Sequence, residues 1–158
     1  MENLTPEKGK NQNELISELT KILEANRDKR IVVVGTTCTG KSTLIQEIKD
    51  AHDMDELVFP LLSKEEDDYV CQKPWTSEIG QTMIRLVKEK VKVEPGKPVF
   101  GTVVLDSDLI IYLHISDELL EERTNLRNHT LEDAKNMQKQ IEEEIKKSQI
   151  PVIKLSVG

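Results

Sequence analysis

Gly35-Thr36-Thr37-Cys38-Thr39-Gly40-Lys41-Ser42 sets two glycines five positions apart and follows them with a lysine and a hydroxyl, the spacing G-x-x-x-x-G-K-[ST]. Glycines at those places let the backbone curl so that successive N–H groups point inward. A helix starting immediately afterwards adds roughly half a positive charge at the same spot. Phosphate oxygens fit such a cradle. On this pattern Gly35, Thr36, Thr37, Cys38, Thr39, Gly40, Lys41, Ser42 and Thr43 are the expected nucleotide-binding residues, with Lys41 reaching the β- and γ-phosphates and Ser42 ligating Mg²⁺. The expected cofactors are ATP and Mg²⁺.

A nucleotide-bound metal calls for a carboxylate after an apolar run, and two residues fit. Glu94 follows Val91-Lys92-Val93, and Asp106 follows Val103-Val104-Leu105. The residues alone do not choose between them. Asp67-Asp68, on a less regular stretch, is a candidate for orienting an acceptor hydroxyl or a second hydrated Mg²⁺. His52, His114 and His129 lack any spacing for a metal or a triad.

These groups need elements to hold them. Leu15, Leu19, Ile22 and Leu23 mark an amphipathic helix from Asn13 to about Asn26, and residues 1–12 read as a mobile tail. Ile31-Val32-Val33-Val34 is apolar on both faces, as in a central parallel strand covered by helices. Leu44, Ile45 and Ile48 predict a short helix to about Asp50, and Leu57-Val58-Phe59 a second strand. Ser63 with Glu66 forms a capping box. Helical spacing returns from Ser77 to about Lys90, and Val91 to Glu94 alternates as a short strand. Leu109 to Ile115 reads as the other core strand. Val99 to Leu105 is expected as a loop, a helical stub or a hairpin arm, because three residues cannot join parallel neighbours. Helices over 117–127 and 131–147 and a last strand over 152–155 complete an α/β layered sheet in one domain, 13–158.

Two segments, 31–43 and 100–123, resemble the P-loop kinase family, which includes nucleoside monophosphate kinases and shikimate kinases. The second, with Gly101-Thr102-Val103-Val104, a strand and then Glu122-Arg123, is similar to cytidylate kinases. Together the two cover about a quarter of the chain. Those relatives carry Gly-Arg-Asp before G-T-V-V, where this chain has Gly96-Lys97-Pro98 nearby and no Asp. The chain is also too short for their inserted substrate domain. The resemblance implies a three-layer P-loop NTPase fold, with a five-stranded parallel sheet in the order 2-3-1-4-5 and helices on both faces. It implies a lid whose arginines, here Arg123 and Arg127, act on the transferring phosphoryl group. It also implies that Arg85 holds an anionic acceptor, with Trp75 available to stack on it. The stretch between Pro60 and Thr76 is the expected acceptor lining.

Composition narrows the alternatives. Twenty-two Lys and Arg against 29 Asp and Glu give a net charge of −7, and aromatics make up 3%. A general nucleic-acid binder needs a basic surface. The longest apolar run is five residues, Leu109 to Leu113, against the roughly 20 that span a bilayer. No basic flank leads into an apolar stretch near the start, so a cytoplasmic location with Cys38 and Cys71 reduced is expected. No base-reading N-K-x-D occurs, which argues against a small GTPase. The reading is an ATP-dependent kinase for a small acceptor. The alternative is a nucleotide-binding regulatory or adaptor protein without turnover.

Overall fold

The computed structural model describes residues 11–36, 38–72, 76–126 and 131–157. Five parallel strands form one sheet: β1 (Ile31–Val34), β2 (His52–Asp53), β3 (Val99–Gly101), β4 (Leu109–Ile115) and β5 (Val152–Val157), ordered β2-β3-β1-β4-β5. This is the order expected from the resemblance. Strand β1 lies between β3 and β4, with Val32 opposite both Val99 and Ile110. All four of its residues are buried.

Alternation along the strands sends side chains to two cores. Ile31 and Val33, with Leu109, Ile111, Leu113 and Ile115, face one side, where Leu15 and Leu19 of α1 (Gln12–Ala25), Leu44 of α2 (Lys41–Glu47) and Leu120 of α6 (Asp117–Leu126) cover them. Val32, Val34, Ile110 and Tyr112 face the other. There Met54 and Val58 of α3 (Met54–Val58), Val87 of α5 (Ser77–Lys90) and Ile141 of α7 (Leu131–Ser148) close the second core. Helix α4 (Lys64–Val70) docks its Val70 on Ile79 and Leu86 of α5 in a satellite cluster. No helix of the described residues is long and apolar enough to cross a membrane.

Several local expectations need correction. Leu57 to Phe59 is not a strand: Asp53 caps α3 by accepting from the Asp55 N–H at 2.9 Å, and a 3₁₀ turn, Phe59–Leu61, follows with Pro60 in its first positions. A strong cap overrides three β-prone residues. The second strand is His52–Asp53, which ends on the cap residue itself. Val91 to Glu94 makes only an isolated bridge from Glu94 to Lys97 around a turn at Gly96, φ +78°. Val99–Gly101, expected as a loop or hairpin arm, is a central strand beside β1. The objection to it assumed that it would neighbour β4, whereas β1 separates the two. Residues 102–108 make the return, and Val103, Val104 and Leu105 are buried in the second core. Seven extended residues reach at most about 25 Å, enough to run back past strands this short. Residues 11 and 12 do not belong to a tail: Asn11 and Glu14 form a reciprocal capping box that starts α1. Residues 1–10 lie outside the described residues.

Candidate functional site

The loop after β1 is bent by two residues with positive φ, Cys38 at +68° and Gly40 at +89°. Gly40 caps α2 in the left-handed region that glycine enters at no steric cost. At Gly35 a Cβ would stand 3.1 Å from the Leu113 carbonyl and 2.9 Å from Thr39 Oγ1, so the close approach to β4 requires glycine there. Thr39 Oγ1 donates to the Thr36 carbonyl at 2.9 Å, closing the loop on itself. The Thr36 hydroxyl donates to the Ala134 carbonyl at 2.6 Å and ties the loop to the first turn of α7.

Two cations converge on this loop. Lys41 Nζ donates to the carbonyls of Gly35 and Thr36, each at 2.7 Å, and lies 3.1 Å from Thr39 Oγ1. Arg123, from α6, donates through Nη1 to the Cys38 carbonyl at 2.8 Å. Ser42 and Thr43, on the first turn of α2, are exposed. Sequence reasoning therefore identified a set that the tertiary fold brings together. Thr37 and Arg127 lie outside the described residues.

Asp53 and Asp55, which sequence reasoning missed, stand at the same end of the sheet, where β2 passes into α3. Asp55 is exposed, yet the protein around its carboxyl pushes its pKa up, the Asp53 carboxylate adds to the rise, and Lys41 opposes it. Lys41 and Asp55 thus share one electrostatic neighbourhood. Two carboxylates crowded in this way gain from a cation, and Mg²⁺ asks for only one or two of them beside water and phosphate oxygens. The donor set therefore fits that ion. The signal was an acid pair two residues apart directly after a strand, hidden because the strand was expected at 57–59. Gly101, at the end of the intervening β3, carries no side chain, and a Cβ there would stand 2.8 Å from Met54 Cβ.

The two carboxylates expected to serve the metal are elsewhere. Asp106 pairs with Arg30 Nη1 at 3.2 Å, and Asp108 pairs with Arg30 Nη2 at 3.1 Å, immediately before β1 and β4 begin. Glu94 pairs with Lys97 at 4.0 Å in the turn that leads into β3. In a parallel sheet every strand starts at the same end. The four residues of β1, about 13 Å at 3.3 Å per residue, separate that end from the loop.

Nor do the expected acceptor residues form one group. Arg85 is exposed and pairs with Glu89 at 3.4 Å on its own helix. Asp67 Oδ1 accepts from the Cys71 thiol at 3.3 Å, and Asp68 is exposed. Trp75 lies outside the described residues. A cavity of about 630 Å³ opens instead between α5 and α7, beneath Thr102, Val103 and Val104. Elsewhere on α7, the buried Gln138 amide accepts from the Ile115 N–H at 3.2 Å and donates to the Ile115 carbonyl at 3.3 Å, tying the helix to β4.

The arrangement sets two cations on one glycine-bounded loop, with a carboxylate pair at the same end of the sheet and a cavity alongside. No family model matches the chain, and no curated protein matches it significantly.

Proposed function

We propose that the chain is an ATP-dependent phosphotransferase of P-loop kinase type that moves the γ-phosphoryl group of Mg·ATP to a hydroxyl of a small acceptor. One observation carries the reading: Lys41 and Arg123 converge on carbonyls of a single glycine-bounded loop at the open end of a parallel sheet. Crevices beyond the carboxyl ends of such strands are where open α/β sheets bind ligands.

The roles follow from chemistry. Backbone N–H groups of residues 36–42 and the N-terminus of α2 bind the phosphates, and Lys41 exchanges loop carbonyls for phosphate oxygens. Arg123 and Arg127 stabilise charge on the transferring group. Ser42 with Asp53 would hold Mg²⁺, which when bound neutralises the β- and γ-phosphate oxygens. Asp55, with its pKa raised, accepts the proton of the acceptor hydroxyl. The cavity between α5 and α7 receives the acceptor. The reaction belongs in the cytoplasm, where ATP is present and the free thiols of Cys38 and Cys71 stay reduced.

Calorimetric titration of Mg·ATP tests the reading. Binding to the wild-type chain and at least hundredfold weaker binding to Lys41→Ala are expected. Equal affinity in the two proteins refutes it.

A further inference from the structure

The walls of the α5–α7 cavity specify the acceptor's chemistry, provided that the phosphotransfer reading holds. Thr102, on its wall, follows Gly101, whose carbonyl accepts from Gly35 N–H at 3.2 Å, and Ala134, also on its wall, holds the Thr36 hydroxyl. The cavity therefore abuts the loop. At about 630 Å³ it has the size of sites that enclose a ring compound with substituents rather than a hydroxy acid of a few atoms.

Its surface is apolar along Met83, Val103, Met137 and Ile141. Carboxamides stand on both flanking helices, Gln81 on α5 and Asn136 and Gln140 on α7. Thioethers favour ring contacts, and a carboxamide offers both a donor and an acceptor to a polar ring edge. The charged groups among the described lining residues are the carboxylates Asp133 and Glu144, and Glu144 already binds Lys88 at 2.6 Å. No lysine or arginine stands among the described lining residues to receive a phosphate or carboxylate. The arginine expected to clamp such an anion, Arg85, faces solvent with Glu89.

We propose that the acceptor is an uncharged, nucleoside-sized ring compound with a free hydroxyl, and not a monophosphate or a hydroxy acid. Its hydroxyl oxygen forms the new bond to the γ-phosphorus, and the bond from that phosphorus to the β,γ-bridging oxygen breaks. ADP leaves with the electron pair, and the hydroxyl proton is released to water.

ADP release at saturating Mg·ATP, with products identified by mass, tests this on the full chain against nucleosides, their 5′-monophosphates and small hydroxy acids. At least one nucleoside should raise ADP release tenfold over ATP alone and gain one phosphoryl group, with monophosphates and hydroxy acids near background. Met137→Trp, which fills the cavity, and Gln81→Leu, which removes one carboxamide, should each raise the KM of that nucleoside tenfold or more. Both should leave the Kd for Mg·ATP within twofold. Gln140→Lys should admit the corresponding monophosphate. Turnover of a monophosphate or hydroxy acid by the wild-type chain, or silence from every nucleoside while Mg·ATP binds, overturns the acceptor inference alone. Failure of Mg·ATP to bind overturns the phosphotransfer reading together with it.

Discussion

The two ends of the sheet are both rich in charge, and they use it differently. Where the strands begin, Arg30 is surrounded by partners: its guanidinium binds Asp106 and Asp108, and its N–H donates to Asp108 Oδ2 at 2.9 Å. The Arg30 pKa rises and that of Asp108 falls, both chiefly through the hydrogen bonds between the two side chains. Where the strands end, the cations instead sit on backbone carbonyls, and Asp55 is held above its ordinary pKa. One end satisfies its charges and braces the fold. The other gathers two cations and two carboxylates about a loop bent at Cys38 and Gly40.

Substitutions at the two ends should therefore separate activity from stability, and the largest effect belongs to the loop end. Arg123→Ala should lower kcat about a hundredfold or more with little change in melting temperature, as loss of a transition-state contact does. Arg30→Ala should do the reverse, lowering the melting temperature while the Kd for Mg·ATP stays within twofold. Equal effects of the two variants on kcat would break the contrast.

The carboxylates sharpen it. Asp55→Asn should cut turnover at least tenfold, and Asp106→Asn should leave kcat/KM unchanged. A turnover loss at Asp106 would return the metal to the end where the strands begin.

A smaller effect is expected from Gln12, whose Nε2 is buried with no hydrogen-bond partner among the described residues. An unsatisfied buried donor costs about 1–3 kcal/mol, so Gln12→Leu should raise the stability of the ligand-free chain, measured by denaturant titration. A fall would show that the amide is satisfied in solution.

The smallest effects are in the pH profile. Burial, followed by Lys154, pushes His114 below its ordinary 6.5, against weaker opposing effects of Glu142 and Asp117. Its folded pKa is depressed, so the unfolded chain takes up this proton first. The contribution is complete above about pH 6.5 and is lost as pH falls from there through the folded value. His114→Gln should flatten that part of the stability curve. Asp108 and Glu66 are lowered from 3.8 and 4.5, so their contributions hold above those values and fade at lower pH. Arg30→Ala should remove the Asp108 part.

Much of the loop end was legible because its information is contiguous. Eight residues carry the glycines, the lysine and the hydroxyl, and the helix start after Gly40 depends on neighbours in sequence. The buried runs Ile31–Val34 and Leu109–Ile115 marked the sheet centre for the same reason, since side chains covered on both faces are apolar without interruption. Arg123 followed from the resemblance, which implies a lid helix after the strand that is β4.

What escaped depended on the route between elements. An acid after an apolar run looks the same whether the run travels toward the loop or away from it. Residues 102–108 travel away, so Asp106 ends 76 positions along the chain from its partner Arg30 and at the opposite end of the sheet from Lys41. Three residues of β3 were too few to show a period, and became a strand because β1 and β2 offered hydrogen-bonding edges on either side. The electrostatic influence of Lys41 on Asp55, and the meeting of α5 and α7 around a cavity, join segments that no local pattern relates. The sequence alone determined the loop, its helix and the apolar strands, because periodicity, capping and glycine placement act over a few residues. Only the tertiary structure decided which charges share an end of the sheet, because that depends on the direction in which each connection crosses it.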